Sequence, residues 1–268
     1  MILDRPALLD ALVALAGVAG DVVWDHFTGD CAVTSKADTS LVTAADHAAE
    51  AVILAGLARV APGVPVVAEE EHAAGRVPAV AAAFFLVDPL DGTREFVARG
   101  RDFTVNIGLI EDDAPTMGVV YAPAHDRMVW GDVGAGGWMA TRAPGAEAEP
   151  ASPISVRRPS TPPRAIGSRS HADARIGAWL AAAGIGALDP IGSSWKFALL
   201  AAGEADVYPR IGPTMEWDTA AGDAVLRAAG GRMLGADGSV FRYGKPGYRN
   251  GAFVATGAFD PPRLAPFM

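Results

Sequence analysis

The sequence predicts a mixed α and β protein, with an α+β part over residues 1–150 and an α/β part over 151–268. Three observations lead there. Apolar residues recur at helical spacing near the N-terminus, short β-rich segments separated by turn residues fill the middle, and strands alternate with helices in the last third. The 268 residues suffice for one large domain or two modest ones, and 50% hydrophobic with 20% charged residues is the composition of a chain that folds around a core.

From Pro6 to about Phe27, Leu8, Leu9, Leu12, Leu15, Ala16, Ala19 and Val23 fall on one helical face. A second helix is expected from about Thr43 to Arg59, opened by Thr43 and Asp46 in capping-box spacing with Asp in place of the usual Glu. GVPVVAEEE, Gly63 to Glu71, reads as a short buried strand that delivers carboxylates at its end, and AFFLVDP, Ala83 to Pro89, does the same. Four further β-rich segments, beginning at Phe103, Pro115, Asp126 and Gly136, suggest a meander. APGAEAEPASP, Ala143 to Pro153, has three prolines and no aliphatic period, and is the expected linker. Beyond it, RAIGS and ADVYPR read as strands. A helix should start at Ser170 with Asp173 three residues on, and another should run through WDTAAGDAVLRAAGG to Gly230 or Gly231.

The totals exclude several kinds of function. A net charge of −9 disfavours nonspecific attraction to nucleic acid or anionic lipid. No apolar run approaches the roughly 18 to 20 residues of a membrane span, and no basic segment precedes an apolar core at the N-terminus as in a secretory signal. The single cysteine, Cys31, reads as a small core residue in a reducing cytoplasm, with peripheral association at the inner membrane left open. The nucleotide-gripping pattern GxxxxGK[ST] is absent, and Gly134, Gly136 and Gly137 read as a hairpin turn.

Acids stand at the ends of three elements: Glu69 to Glu71, Asp88 with Asp91, and Asp218. Were they to converge, they would raise one another's pKa strongly, and hard divalent cations remove that conflict. An oxygen-only set suits Mg²⁺ better than Zn²⁺, and the five histidines show no paired metal spacing. Pro89 can leave the Leu90 carbonyl facing the same ion, while Gly92 and Thr93 open a helix whose free N–H groups can seat an oxyanion. Cation ligands and an anion seat in one short segment are what phosphate ester hydrolysis requires. Each piece also has a plain structural reading: a surface turn for Asp88 to Gly92, a solvated run for Glu69 to Glu71, a capping acid for Asp46, a helix cap for Asp218.

VVAEE, LVDPLDGTREF and WDTAAGDAVLRAAGG in this order resemble the inositol monophosphatase superfamily of magnesium-dependent, lithium-sensitive phosphomonoesterases, across nearly the whole chain. Within it, KADTSLVTAADHAAE, GSRSHAD and IGSSWKFALLAAGEADVYPRIGPTMEWDTAAG are most similar to the bacterial bisphosphate nucleotidases. The resemblance implies a layered αβαβα sandwich and two or three Mg²⁺ ions. It implies Glu69 on the first metal and helping to position the attacking water, Asp88 bridging two, the Leu90 carbonyl on the first, and Asp91 with Asp218 on the second. Thr93, bonded to Asp46, would orient the attacking water, and the Gly92 and Thr93 amides would cradle the phosphate. Ala68 departs from relatives that often carry Gly or Ser there, which puts no ligand in doubt.

The implied reaction is hydrolysis of 3'-phosphoadenosine 5'-phosphate to AMP and phosphate, and also of the related phosphosulfate, by two-metal activation of water. A nucleotide with two phosphates needs a second basic contact and a slot for adenine; Arg169, His171, Lys196 and Arg210 are the candidates for the first, and Tyr208 is suited to stacking. An inositol monophosphatase, a broad sugar phosphatase or fructose-1,6-bisphosphatase, and a catalytically silent scaffold remain as alternatives. The expected partner is a small phosphorylated nucleotide, and the chain is expected to be a monomer or homodimer.

Overall fold

A computed structural model describes residues 4–29, 33–35, 41–79, 81–169 and 174–268. Cys31, the helix start expected at Ser170 and Asp173, and His171 lie outside the described residues. α1 (Arg5–Thr28) begins at Asp4, whose carboxylate accepts the Ala7 N–H at 3.4 Å. A short ribbon of β1 (Val33–Ser35) and β2 (Leu41–Thr43) precedes α2 (Ala44–Val60). There the capping box forms as the spacing predicts: Thr43 Oγ1 accepts the Ala45 N–H at 3.1 Å and Asp46 accepts the Thr43 N–H at 2.8 Å.

The expectation that no stretch reaches membrane-spanning length needs correction at α1, which is long and apolar enough by length and composition. Its Leu8, Leu12, Leu15, Ala19 and Val23 are spent on core packing instead, against α2 and the sheet beneath.

That sheet has seven strands in sequence order: β3 (Val66–Ala68), β4 (Ala83–Asp91), β5 (Thr104–Glu111), β6 (Ala114–Ala122), β7 (Arg127–Asp132), β8 (Gly136–Thr141) and β9 (Ser152–Ile154). β3 runs parallel to β4, and every later pair is antiparallel, giving the expected meander. The end of the proline-rich stretch is not spacer. It pairs with β8 as an edge strand, where Pro153 is tolerated because an edge needs hydrogen bonds on one side only. Two helices of five residues, α3 (Glu69–Ala73) and α4 (Thr93–Val97), follow β3 and β4 directly.

The second sheet has the order β11-β10-β12-β16-β14: β10 (Ala165–Ser168), β11 (Leu188–Ile191), β12 (Val207–Arg210), β14 (Arg232–Gly235) and β16 (Phe253–Thr256). A ribbon of β13 (Thr214–Met215) and β15 (Arg249–Asn250) lies beside it. α5 (Ala174–Ala182), α6 (Trp195–Ala201) and α7 (Ala220–Ala228) complete the chain.

Three apolar clusters order the layers. Phe85 and Val87 of β4 pack with Leu12 of α1 and Ile53 of α2, while Leu86 between them faces Phe197 of α6 and Val225 of α7. The same middle cluster reaches Tyr208 and Phe253 of the second sheet, whose other face, Val207 and Val254, packs against Trp179 of α5. The result is the αβαβα sandwich. α6 is buried along its whole length, so it carries no amphipathic period by which the sequence would disclose a helix.

α7 lies unusually close to the first sheet because β6 carries Gly118 beneath it. A Cβ there would stand 2.3 Å from the Ala221 carbonyl oxygen. Gly118→Ala should therefore cost about 1–3 kcal/mol by overpacking, read as a lower denaturant midpoint at unchanged slope.

Asp206, 2% exposed, clamps the irregular segment leading into β10. It accepts from Arg157 Nε at 3.0 Å, Ser160 Oγ at 2.6 Å and the Arg164 N–H at 2.7 Å. Burial pushes its carboxyl up, but those donors outweigh burial and hold it at about 2, below its ordinary 3.8. A depressed carboxyl stabilises the fold above the unfolded value and loses that contribution as pH falls toward the folded value. Between pH 5 and pH 2, unfolding free energy should drop by about 2 kcal/mol through this group, and Asp206→Asn should flatten that part of the pH profile.

Candidate active site

β4 runs from the core straight into the acidic segment. In a regular strand, residues three apart point to opposite faces, which would separate Asp88 from Asp91. The ladder with β5 shifts between them: Asp88 pairs with Asn106 and Asp91 with Thr104, three steps on one strand against two on the other. Pro89 lies in this interval and has no N–H to give. The extra residue brings both aspartates to one cavity. Asp88 Oδ1 accepts the Leu90 N–H at 3.0 Å, and the Leu90 carbonyl accepts Thr93 Oγ1 at 3.1 Å. Gly92 turns the chain with φ 93°, where a Cβ would meet the Asp102 carbonyl oxygen at 2.6 Å, so only glycine fits.

Each other acid reaches this place by its own route. Ala68 pairs with Val87, which sets Glu69 at the start of α3 beside Asp88. Asp218 precedes α7 and caps nothing there. Its Oδ2 accepts the Met215 N–H at 2.8 Å, holding the carboxylate to the turn after β13. Asp46 stands behind the wall, with one oxygen on Thr43 and the other 3.4 Å from Thr93 Oγ1. Of the other two acids in the Glu69–Glu71 run, Glu71 pairs with Arg76, whereas Glu70 is buried and its N–H donates to Glu50 at 2.8 Å.

Glu69, Asp88, Leu90, Asp91, Gly92, Thr93, Lys196, Tyr208, Arg210 and Asp218 all line one cavity of about 260 Å³. Arg94 reaches its mouth as an exposed residue. Arg169 lines an adjoining cavity that shares Ser168 and Arg210 with the first. Because α4 has only five residues, its macrodipole is short, and any anion seat at its start must rest on the free amides themselves.

The acidic wall is under electrostatic load. Burial drives Asp88 well above the usual carboxylate range, and the charges of Glu69, Asp91, Asp218 and Asp46 add to it. Asp218 is raised in the same way by burial, then by Asp91 and Glu69. Asp91 rises only to about 6, because the Lys196 charge and the Ser194 N–H oppose burial. Among the described residues no three His, Cys, Asp or Glu side chains are drawn into a closed metal-binding group. The donor chemistry nonetheless fits a hard divalent cation: oxygen ligands only, mutually destabilised as anions, and relieved by positive charge.

A cationic wall lines the same cavity. Lys196, 4% exposed, donates to the carbonyls of Ser193 and, at 3.2 Å, Ile191, and burial pulls its ammonium down to about 8 against the attraction of Asp91. Arg210 is turned by the Gly212 and Pro213 carbonyls at 3.1 and 3.2 Å. Tyr208 does not offer a free ring for stacking: it is 3% exposed and sits edge-on to Phe197 and Phe253. Its hydroxyl bonds Arg210, and burial pushes its pKa to about 12.

Sequence reasoning missed the residues that tie the two walls together. The Ser194 N–H donates to Asp91, and Ser194 Oγ sits between Thr104 Oγ1 at 2.8 Å and Asn106. Thr104 and Asn106, both fully buried, alternate with Val105 and Ile107 in β5, and polar residues at period two in an otherwise apolar strand were the available signal. Asp102 is a further omission. Burial pushes its carboxyl up, yet His125, the Gly192 N–H and the charge of Arg169 hold it at about 2.

The sequence matches the inositol monophosphatase family over residues 4–263. It is 44% identical to the 3'(2'),5'-bisphosphate nucleotidase CysQ of Escherichia coli (strain K12) over 238 residues, 88% of this chain and 94% of that protein. Among solved structures, CysQ from Bacteroides thetaiotaomicron superimposes with a TM-score of 0.77 at 33% identity, covering 94% of this chain and 98% of that one. An inositol monophosphatase from Anabaena superimposes with a TM-score of 0.71 at 25% identity, covering 97% and 98%. With the layered fold, the acidic wall and a match that spans both sheets, the chain belongs to the inositol monophosphatase family.

Proposed function

We propose that the protein is a Mg²⁺-dependent phosphomonoesterase acting on 3'-phosphoadenosine 5'-phosphate, releasing phosphate and AMP, and accepting the related phosphosulfate. The observation that carries this reading is one cavity lined by two unlike sets of groups: the acids Glu69, Asp88, Asp91 and Asp218, and the cations Lys196 and Arg210. A substrate with two phosphates suits such a site, because one can be held through cations on the carboxylates while the other meets fixed positive side chains. The likeness to bisphosphate nucleotidases over 88% of the chain supports the same substrate class. One cysteine and the negative charge accord with a cytoplasmic small-molecule enzyme.

In this reading Glu69, Asp88, the Leu90 carbonyl, Asp91 and Asp218 hold Mg²⁺, which when bound neutralises phosphoryl charge and acidifies a water. The chain's own groups supply orientation. Thr93 has one hydroxyl hydrogen, within reach of the Leu90 carbonyl at 3.1 Å and of Asp46 Oδ1 at 3.4 Å; with the Leu90 carbonyl given to a cation, Asp46 receives it through Oδ1, because Thr43 already occupies Oδ2. The lone pairs on Thr93 Oγ1 then accept a hydrogen from the attacking water and aim it. Glu69, on the same wall, accepts the water's other proton. The Gly92 and Thr93 amides face the phosphoryl oxygens, and Lys196 with Arg210 takes the second phosphate.

Phosphate release from 3'-phosphoadenosine 5'-phosphate and from inositol 1-phosphate, each with Mg²⁺ and with added Li⁺, tests the substrate. The nucleotide should have the higher kcat/KM, with Li⁺ inhibiting; preference for inositol phosphate would replace this reading with an inositol monophosphatase. Asp88→Asn should lower turnover by on the order of 10²–10³ or more, and retained activity would count against the assigned wall. Because the carboxylates repel one another, Asp218→Asn should raise Tm by a few degrees in chelator, and Mg²⁺ should stabilise this variant less than the parent in thermal unfolding.

A further inference from the structure

Asp102 lies on neither wall, yet it contacts the loops that build both. It follows α4 in the segment before β5 and is 6% exposed. Its backbone fills the space between two glycines: the Asp102 carbonyl oxygen would be 2.6 Å from a Cβ on Gly92 and 2.9 Å from one on Gly192. Its side chain gathers three groups from elsewhere in the chain. Oδ1 is 3.0 Å from His125 Nε2, while Oδ2 accepts the Gly192 N–H at 2.9 Å and pairs with Arg169 Nη2 at 2.9 Å. Gly192 begins the turn whose Ser193 carbonyl receives Lys196, and Ser193 is held at φ 45°, a conformation that needs support from its surroundings. His125 stacks on Trp195, the residue before Lys196, at 4.9 Å between ring centres with planes 12° apart. Arg169, otherwise half-exposed with its Nη2 also on the Pro190 carbonyl, is thereby held in the adjoining cavity that Arg210 also lines.

We propose that Asp102 is a positioning residue for the second phosphate, setting the Gly192–Ser194 turn and the Arg169 guanidinium at a fixed distance from the phosphoryl seat at Gly92 and Thr93. It touches no substrate and acts through Arg169 and the Lys196 turn. The inference rests on the two-phosphate reading of the site and predicts where that selectivity is set. A carboxylate suits the task because it serves one backbone N–H and one guanidinium with the same oxygen, while its other oxygen holds an imidazole.

The test compares 3'-phosphoadenosine 5'-phosphate with adenosine 3'-phosphate, which keeps the scissile ester and the base but lacks the second phosphate. Asp102→Asn preserves shape and can still accept the Gly192 N–H, but loses the charge that holds Arg169. KM for the two-phosphate substrate should rise about tenfold with kcat within about twofold, while kcat/KM for adenosine 3'-phosphate changes by less than about threefold. Arg169→Gln should behave alike, and the double variant should be no worse than the poorer single one, because both remove the same interaction. Equal losses on both substrates, tracking a fall in Tm, would assign Asp102 a purely structural role and overturn the inference. Additive effects of the two substitutions would overturn it as well. A parent enzyme with no preference for the second phosphate would instead defeat the substrate reading itself, so the two failures are told apart by the unsubstituted protein.

Discussion

Repulsion among buried carboxylates is the constraint around which this protein is arranged. Asp88 is 2% exposed and feels the charge of Glu69, Asp91, Asp218 and Asp46, an arrangement that no local preference of the chain would choose. It persists because four of these acids are anchored by backbone N–H groups, three of them near in the chain and one from a distant turn. Asp88 is tied to the Leu90 N–H, Asp91 to the Ser194 N–H, Asp218 to the Met215 N–H and Asp46 to the Thr43 N–H. Close-packed layers on both sides of the first sheet keep those backbones from yielding. The strain is relieved when positive charge arrives, which is why an acidic wall of this kind is a binding site before it is anything else.

The cationic wall shows the same economy from the other sign. Lys196 is buried in a seven-residue helix and pulled down to about 8, yet it stays close enough to Asp91 that each moderates the other. The acids come from α3, β4 and the turn before α7, the cations from α6 and β12 of the second sheet, and the turn at Gly192–Ser194 joins them through Asp91, Asp102, Thr104 and Asn106. A shift of either sheet would alter the spacing between the walls, so the rigidity of the sandwich and the reach of the site are one property.

Much of this was legible in the sequence where a signal is local. The capping box at Thr43 and Asp46 is written in four residues and formed as written. Gly92 at positive φ and Pro89 at the bulge are likewise local commitments. Other features had no local signal. α6 is buried all round and so has no period to detect, and Tyr208, which reads as a stacking surface, is consumed by Phe197 and Phe253. α1 passes for a membrane span by composition, and only its packing against α2 and the sheet explains where its apolar face goes. Asp102 looks like an ordinary loop acid, since its partners at positions 125, 169 and 192 are remote in the chain.

By itself the sequence determined which residues carry charge at the ends of elements, where glycine and proline bend the backbone, and the unbroken apolar run that buries both faces of β4. These follow from bonding and sterics within a few residues. Tertiary structure alone decided that Asp88 and Asp91 reach one cavity, that Glu69 and Asp218 join them, and that Lys196 and Arg210 line the same cavity. Those outcomes depend on strand register and layer packing, which are summed over contacts between segments far apart in the chain and are therefore invisible to any short window of it.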